Sequence, residues 1–593
     1  GTCPAGMVVT PNHEGYAYAA EHLASWGFAV FSINANRGIT CGGGNQGDFG
    51  LNLARGRLIL SHLALISSWS SQGGAPQSLG LGPNGLRNRL QLGNVGLMGH
   101  SRGGEGARAA YTLFNDAGSP WPGKVPGLRI RAIYEIGAVD GQTDRVLDAD
   151  GVAWNQLLPM CDGDVSDLQG RNPFERMIAK RGLPAEAQKS LLMVYGTNHN
   201  FFNTEWQVSD SSGCKDHQAV FPQTIGSPVQ TAVALGSMSA FFRANLNPGG
   251  QFAFLDQLFN PLYEMFDGLS AMTRLDRDFA ETTPSNQGHV VAVDDFDRAP
   301  GASSLGIASE SSGVTATAAP IGWGLPTRAL ALSWTAQGSS TFYQTNWGTA
   351  QAAFDASPFS VLEFRVSQPV EGRPQTATDF TLALQLADGG FSREVHLADY
   401  ADVIPPGNFT QLLQTVRVPL VDFGLGRAAL AKLRGLRLTF DRQASGSVLL
   451  ANVRLSRFAG LGAQVSVPNS GRSTRPGRVR RAQTPDSVAR GEWVPASWNR
   501  VNHARPVELS HADGRVQRFI ELELASRVPF QARDQLYVLE SRGGDFRLSR
   551  YAEDGRLDRI RFLIPERDYA RVGSGGFKVR LGPARKPVRT WQF

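Results

Sequence analysis

The sequence predicts a multidomain protein: an α/β region with a mostly parallel sheet over residues 1–250, followed by two all-β regions. Three observations predict it. At 593 residues the chain is too long for a single core. Up to about residue 245, apolar runs of strand length alternate with helical patterns, the sign of parallel strands joined by crossover helices. From about Val291 onward, short alternating runs separated by turn residues replace them, which is an all-β texture.

Composition narrows the classes. Apolar content of 41%, with 67 glycines and 33 prolines, describes a globular, turn-rich chain that is neither disordered nor membrane-spanning. No run of about 18 apolar residues occurs, so no transmembrane segment is expected. The net charge of +6 is small for the length and reads as a solvated surface, so nucleic acid is not an expected partner.

Taken in order, Tyr16 to Trp26 reads as a helix closed by Gly27, and Phe28 to Ile33 as a buried strand. Asn52 to Trp69 carries Leu53, Leu58, Leu60, Leu63 and Ile66 at helical spacing. Leu92 to Met98 is an apolar strand running into Gly99-His100-Ser101-Arg102-Gly103-Gly104, after which Gly106 to Tyr111 holds helix formers. Further strands are expected at Ile130 to Ile136, Trp154 to Met160 and Leu191 to Tyr195, and a helix from Val229 to Phe242.

The centre of this order fits G-x-S-x-G, the nucleophile elbow, in the strand-turn-helix setting its chemistry needs. A strained turn lifts the Ser101 hydroxyl above the sheet, and the flanking glycines let the backbones pass closely. Ser101 is therefore the candidate nucleophile.

With GHSRGG at the elbow and this strand order, residues 1–250 resemble the α/β-hydrolase family, and within it secreted lipase, cutinase-like and chlorophyllase-like serine esterases. The resemblance implies an α/β-hydrolase domain that cleaves carboxylic esters, lipid or polyester among them, without a cofactor or metal. In that family the elbow follows the fifth strand, so Phe28 to Ile33 is counted as the fourth and an amino-terminally truncated domain is expected. Alternatively Met7-Val8-Val9 is the third strand and Pro11-Asn12-His13-Glu14-Gly15 the oxyanion loop.

Family order places an acid and then a histidine after the serine. In the family the acid stands a few residues past its strand, and the resemblance thereby selects Asp164. Asp162 and Asp167 read as loop-capping or solvated carboxylates, and Asp140 is a rival for the acid. His199 directly follows the last parallel strand and is the candidate base. A neutral imidazole must take the serine proton, and a carboxylate on its other nitrogen fixes the tautomer. The backbone N–H of Arg102, next after the nucleophile, is the expected oxyanion donor. Its side chain either points into the cleft toward anionic substrate or is buried in a salt bridge.

Four cysteines, Cys3, Cys41, Cys161 and Cys214, form no C-x-x-C pair, so a zinc site is not expected and two disulfides of a secreted, extracellular or periplasmic protein are. The resemblance implies Cys161 with Cys214, tying the acid loop to the histidine loop, and Cys3 with Cys41. Three pairings are formally open.

Residues 251–288 read as a connector. Residues 289–460 carry strands at Leu330 to Trp334, Phe359 to Val366, Phe380 to Gln385, Gln414 to Pro419, Leu436 to Phe440 and Val448 to Leu455. They resemble the galactose-binding-like jelly roll of carbohydrate-binding modules, which implies a carbohydrate or polymer surface as partner. Trp323, Trp334, Tyr343 and Trp347 form either a stacking platform for sugar or part of the core. Residues 461–492, rich in arginine and proline, read as a solvated linker. Residues 493–593 read as a small β-sandwich with strands near Phe519 to Leu524, Gln535 to Glu540 and Arg559 to Ile564. All candidate catalytic residues precede residue 200, so the β regions are expected to be dispensable for soluble esters.

Three functional readings follow: a serine esterase, a serine peptidase or amidase on the same fold, and a non-catalytic binding protein with a vestigial hydrolase core.

Overall fold

The computed structural model describes residues 9–36, 39, 44, 47–179, 188–210, 228–246, 252–263, 265, 269, 273–280, 290–370, 377–403 and 410–457, and beyond these the backbone of seven strands between 501 and 592. Two compact units are present, the first holding residues 1–22, 29–248 and 256–478, the second residues 23–28, 249–255 and 479–593.

The first sheet contains β1 (Val95–His100), β2 (Ile130–Ile136), β3 (Ala153–Pro159), β4 (Lys189–Val194) and β5 (Leu275–Ala280) in that spatial order. β1 to β4 are parallel and β5 closes the edge antiparallel to β4. The strand β5 falls within the stretch read as a connector. The described helices of the α/β region are α1 (Ala17–Ser25), α2 (Asn52–Gln72), α3 (Arg102–Asn115), the single turn α4 (Trp121–Lys124), α5 (Asn172–Ala179) and α6 (Pro228–Asn245). β2 and β3 are buried at almost every position, the pattern of strands covered on both faces. α2 crosses α3 through small residues: a Cβ on Gly56 would lie 2.8 Å from the Ala109 backbone.

Phe28 to Ile33, read as a buried strand, has no regular secondary structure and pairs with no strand among the described residues, and Val30 and Phe31 are exposed. The run is apolar enough for a core strand, but β1 stands at the edge of the sheet as described. Apolar texture alone does not supply a ladder partner. Met7-Val8 lies outside the described residues.

The all-β part of the first unit is two facing sheets. One has the order β13 (Val395–His396), β12 (Thr381–Leu386), β15 (Leu433–Thr439), β10 (Phe342–Asn346) and β7 (Glu310–Ser312); the other β14 (Gln414–Pro419), β11 (Val361–Ser367), β16 (Gly446–Ser456), β9 (Arg328–Trp334) and β8 (Val314–Pro320), with β6 (Val290–Asp294) pairing β16. Alternate residues such as Leu330, Leu332, Trp334, Leu362, Phe364, Leu382, Leu384, Leu436 and Leu438 fill the core between them.

Along β11, β14 and β16 the outer face of the second sheet is also buried, because the α/β region covers it there, whereas β8 keeps its outer face exposed. On β11, Leu362, Phe364 and Val366 enter the core, leaving Glu363 and Arg365 for the other face, yet Arg365 is only 3% exposed. Its Nε donates to Asp278 Oδ1 at 2.9 Å on β5, and its guanidinium reaches Glu175 Oε2 at 2.9 Å on α5. Thr327 Oγ1 donates to the same Glu175 oxygen at 2.6 Å and Thr415 Oγ1 to Asp278 at 2.6 Å. Arg417 on β14 reaches Asn260 at 2.8 Å. Two acids and one guanidinium thus satisfy one another in a place neither region would keep dry alone.

The second unit contains two antiparallel sheets, β17 (Val501–Ser510), β18 (Val516–Leu524) and β21 (Arg559–Leu563) in one, and β20 (Gly544–Arg547), β19 (Tyr537–Ser541), β22 (Lys578–Leu581) and β23 (Arg589–Gln592) in the other. The stretch read as an arginine-rich linker, 461–492, lies outside the described residues. Among the described residues no helix is long and apolar enough to cross a membrane.

Candidate active site

β1 ends at His100 and α3 begins at Arg102, so Ser101 alone makes the turn. It does so at φ 56°, ψ −127°. That backbone is costly for a residue with a Cβ, on the order of 1–3 kcal/mol, and persists only where its surroundings fix it. Here the Ser101 N–H donates to Ile136 O at 2.9 Å and the Ser101 carbonyl accepts from Gly104 at 3.0 Å. Gly99 is required, since a Cβ there would lie 2.1 Å from Gly103 O. The second motif glycine, Gly103, has open space; Gly104 is the close-packed one, 2.5 Å from the Ala138 Cβ. The Arg102 side chain is exposed and makes no ion pair among the described residues, so it is not a buried salt bridge.

His199 follows β4 at the head of a single 3-10 turn, Asn200–Phe202. It is 3% exposed, and its ring lies 4.6 Å, centroid to centroid, from that of His100, the residue before Ser101. His100 is in turn 3.0 Å from Tyr16 Oη through Nδ1. Burial, with the neighbouring His199 charge, holds His100 well below the usual histidine range, so it stays neutral beside the candidate base.

The acid differs from the expectation. Asp162 Oδ2 lies 2.8 Å from His199 Nδ1, and Asp162 is 4% exposed. Asp164, selected from spacing, has a carboxylate 64% exposed and 3.5 Å from the opposite ring nitrogen, Nε2. The cause is a tight turn: the Asp162 N–H donates to Pro159 O at 3.1 Å, which aims its side chain back over the ends of the strands. The other oxygen, Oδ1, accepts from the N–H groups of Asp164 at 3.0 Å and Val165 at 2.6 Å. The loop-capping reading of Asp162 therefore describes one of its oxygens, and the histidine takes the other. Among the described residues the Asp167 carboxylate accepts only from Gln169. Asp140 is held by Arg108 at 2.8 Å and Arg176 at 2.7 Å. Burial raises its pKa, but those hydrogen bonds and charges outweigh it and leave it low, a structural anion.

Burial disfavours the His199 cation, yet the Asp162 hydrogen bond and charge, aided by Asp164 and Asp210, leave its pKa raised above the ordinary histidine value. Burial likewise raises Asp162.

Two further residues shape the pair and were not singled out from sequence. Gly137, at the end of β2 with φ 49°, would place a Cβ 2.9 Å from His199 Nδ1 and 3.1 Å from Asp162 Oδ2. Asp210 accepts from Gly163 N at 2.7 Å, His199 N at 3.2 Å and Asn200 N at 3.2 Å, joining the acid loop to the histidine loop. A glycine closing a buried strand was the available signal for the first; Asp210 carries none.

Pro11 to Gly15, the alternative oxyanion loop, is pinned to the segment after His199: Asn203 Nδ2 donates to Asn12 O at 3.1 Å and Thr204 N to Gly15 O at 3.0 Å. Cys161 is disulfide-bonded, whereas Cys3, Cys41 and Cys214 lie outside the described residues. In the β region Trp334, Tyr343 and Trp347 are core residues, 3% exposed or less, so a four-member stacking platform does not exist; Trp323 is fully exposed. Among the described residues no group of three or more histidines, cysteines or acids could hold a metal ion.

No protein-family model matches the chain, and no curated protein does. Among solved structures it is similar to a family 11 carbohydrate-binding module from Clostridium thermocellum, at 14% identity over 28% of this chain and 95% of that one, with a TM-score of 0.20. A β-1,2-glucanase from Parabacteroides distasonis matches at 15% identity over 48% of this chain and 36% of that one, TM-score 0.20. An exo-β-agarase matches at 14% over 39% and 36%, TM-score 0.21. Likeness at this level carries no argument about function, which rests on the geometry of the site.

Proposed function

We propose that the chain is a serine hydrolase of α/β-hydrolase type that cleaves carboxylic esters through an acyl-enzyme. The observation that carries the reading is the strained Ser101 backbone at a strand-to-helix turn, together with a buried histidine that packs against the ring of the preceding His100 and whose Nδ1 meets a buried carboxylate. In this reading Ser101 Oγ attacks the ester carbonyl as His199 Nε2 takes its proton. The Arg102 N–H, at the start of α3, donates to the developing oxyanion, with a second donor expected from Pro11 to Gly15. The imidazolium, steadied by Asp162, then protonates the leaving alcohol. Water repeats the sequence on the acyl-enzyme. A vestigial core would have no need to keep Ser101 in a strained conformation. The Cys161 disulfide supports export to an oxidising compartment. Trp323 is the one residue of the expected platform still available to a carbohydrate or polymer surface.

The test is labelling with a fluorophosphonate followed by peptide mapping, beside hydrolysis of p-nitrophenyl esters of graded length. The expected adduct is on Ser101, and Ser101→Ala is expected to lose on the order of 10⁴-fold or more of the ester activity with the fold intact. An adduct elsewhere, or a variant that keeps most of its activity, would overturn the proposal; an amide cleaved faster than its matching ester would move the substrate to the peptidase class.

A further inference from the structure

The carboxylate of Asp164 stands at the edge of His199 where both proton transfers of a serine hydrolase occur. Asp162 is accounted for at Nδ1, and Asp210 accepts from backbone N–H groups of the two loops. The His100 ring packs against it at a 43° tilt from the end of β1, with Tyr16 behind it. Of these groups Asp164 is the exposed charge on the Nε2 side, 3.5 Å away. Its backbone is fixed: its N–H donates to Asp162 Oδ1 at 3.0 Å, and the preceding Gly163 N–H to Asp210 at 2.7 Å. The loop thus holds one carboxylate on each nitrogen of the same imidazole, one buried and one in solvent.

We infer that Asp164 is a positioning and specificity-determining residue: a second carboxylate on the proton-transfer edge of His199 that favours esters with cationic or neutral groups beside the scissile bond over anionic ones. This rests on the hydrolase reading above. The Ser101 proton arrives at Nε2 and leaves from it to the departing alkoxide, so the imidazolium exists within reach of Asp164 during both halves of the reaction. Two effects follow from one charge. Asp164 stabilises the imidazolium, so more of the base is idle at mildly acidic pH. It also repels a second anion entering the cleft, while attracting a cation. Exposure to water keeps both effects modest.

The experiment compares the full chain with Asp164→Asn and Asp164→Glu. A neutral fluorophosphonate reads the labelling rate of Ser101 against pH, and an isosteric pair of esters, one with a quaternary ammonium and one with a carboxylate on the alcohol, reads selectivity. At pH 6 Asp164→Asn is expected to be labelled about three- to tenfold faster than the parent, with rates within about twofold at pH 9. The parent is expected to prefer the cationic ester by about fivefold or more in kcat/KM, chiefly through KM, the preference falling toward unity in Asp164→Asn and returning in Asp164→Glu. Labelling of Ser101 with the same pH profile and the same ester ratio in all three proteins overturns the inference while sparing the hydrolase reading. No labelling of Ser101 in any of them overturns the hydrolase reading and this inference with it.

Discussion

Asp162 and Asp164 are two residues apart in one loop and lie on opposite nitrogens of His199, 2.8 Å from Nδ1 and 3.5 Å from Nε2. A carboxylate on Nδ1 fixes the tautomer that leaves Nε2 free to accept a proton, which a carboxylate on Nε2 cannot do.

Asp162→Asn is therefore expected to lower kcat on short-chain esters on the order of 10³- to 10⁴-fold. Asp164→Asn is expected to change the pH 9 value by about threefold or less. This reverses the ranking that strand spacing gives. Steady-state kinetics of the two variants at pH 9 decide it, and a larger loss in Asp164→Asn would return the acid to the position expected from sequence.

The raised pKa of His199 sets opposite signs for activity and stability. Catalysis needs the neutral ring, so kcat/KM is expected to climb as pH rises through a value above the ordinary histidine 6.5, and to be poor at pH 6. The folded state binds this proton more tightly than the unfolded chain does. The stability it contributes is present in full below about 6.5 and is lost as pH rises through the folded value. A pH-rate profile with its acid limb at or below 6 would contradict the assignment.

Gly137→Ala is expected to be disabling although it touches no substrate. Its φ of 49° costs a non-glycine residue about 1–2 kcal/mol, and the new methyl would fall 2.9 Å from His199 Nδ1. Displacing the ring by about 1 Å is expected to cost on the order of 10²-fold in kcat. Circular dichroism and kcat together check it: retained structure with unchanged kcat would show that the His199–Asp162 pair tolerates movement there.

The elements that sequence reading located well are those whose signal is local. Strands β2, β3 and β14 are largely buried and begin and end within a residue or so of their expected limits, and the elbow announces itself through Gly99, Ser101 and the helix formers behind it. What escaped depends on direction or on distant chain. Spacing cannot tell which of two carboxylates in a turn is aimed at the histidine, because the deciding event is the hydrogen bond from Asp162 N to Pro159 O. Along β11 the alternation Leu362, Glu363, Phe364, Arg365 reads as one dry face and one wet face. Only the arrival of Asp278 and Glu175 makes both faces dry.

That burial changes what is expected of a shortened chain. With all candidate catalytic residues before position 200, sequence reasoning expects a chain ending near 285 to cleave soluble esters normally. In the folded molecule such a chain keeps Glu175 and Asp278, each buried and at 3% exposure or less in its side chain, and loses the guanidinium between them. It also uncovers Phe174 and Phe279, over which Arg365 and Arg417 stack. Removing one member of a buried ion group is expected to cost about 3–5 kcal/mol, because the remaining charges have no water to replace it. Arg365→Ala in the full chain is expected to show this loss as a Tm lowered by several degrees, with Ser101 still labelled at temperatures below the transition. Adding Glu175→Gln and Asp278→Asn to Arg365→Ala is expected to recover part of the Tm, since the triple variant no longer buries the two carboxylates without their guanidinium. The chain ending at 285 is expected to be less stable still and to lose soluble-ester activity through unfolding rather than through its site. If that shortened chain matched the full one in Tm and in kcat/KM on a soluble ester, the Arg365 network would be an incidental contact and the β region a separable attachment.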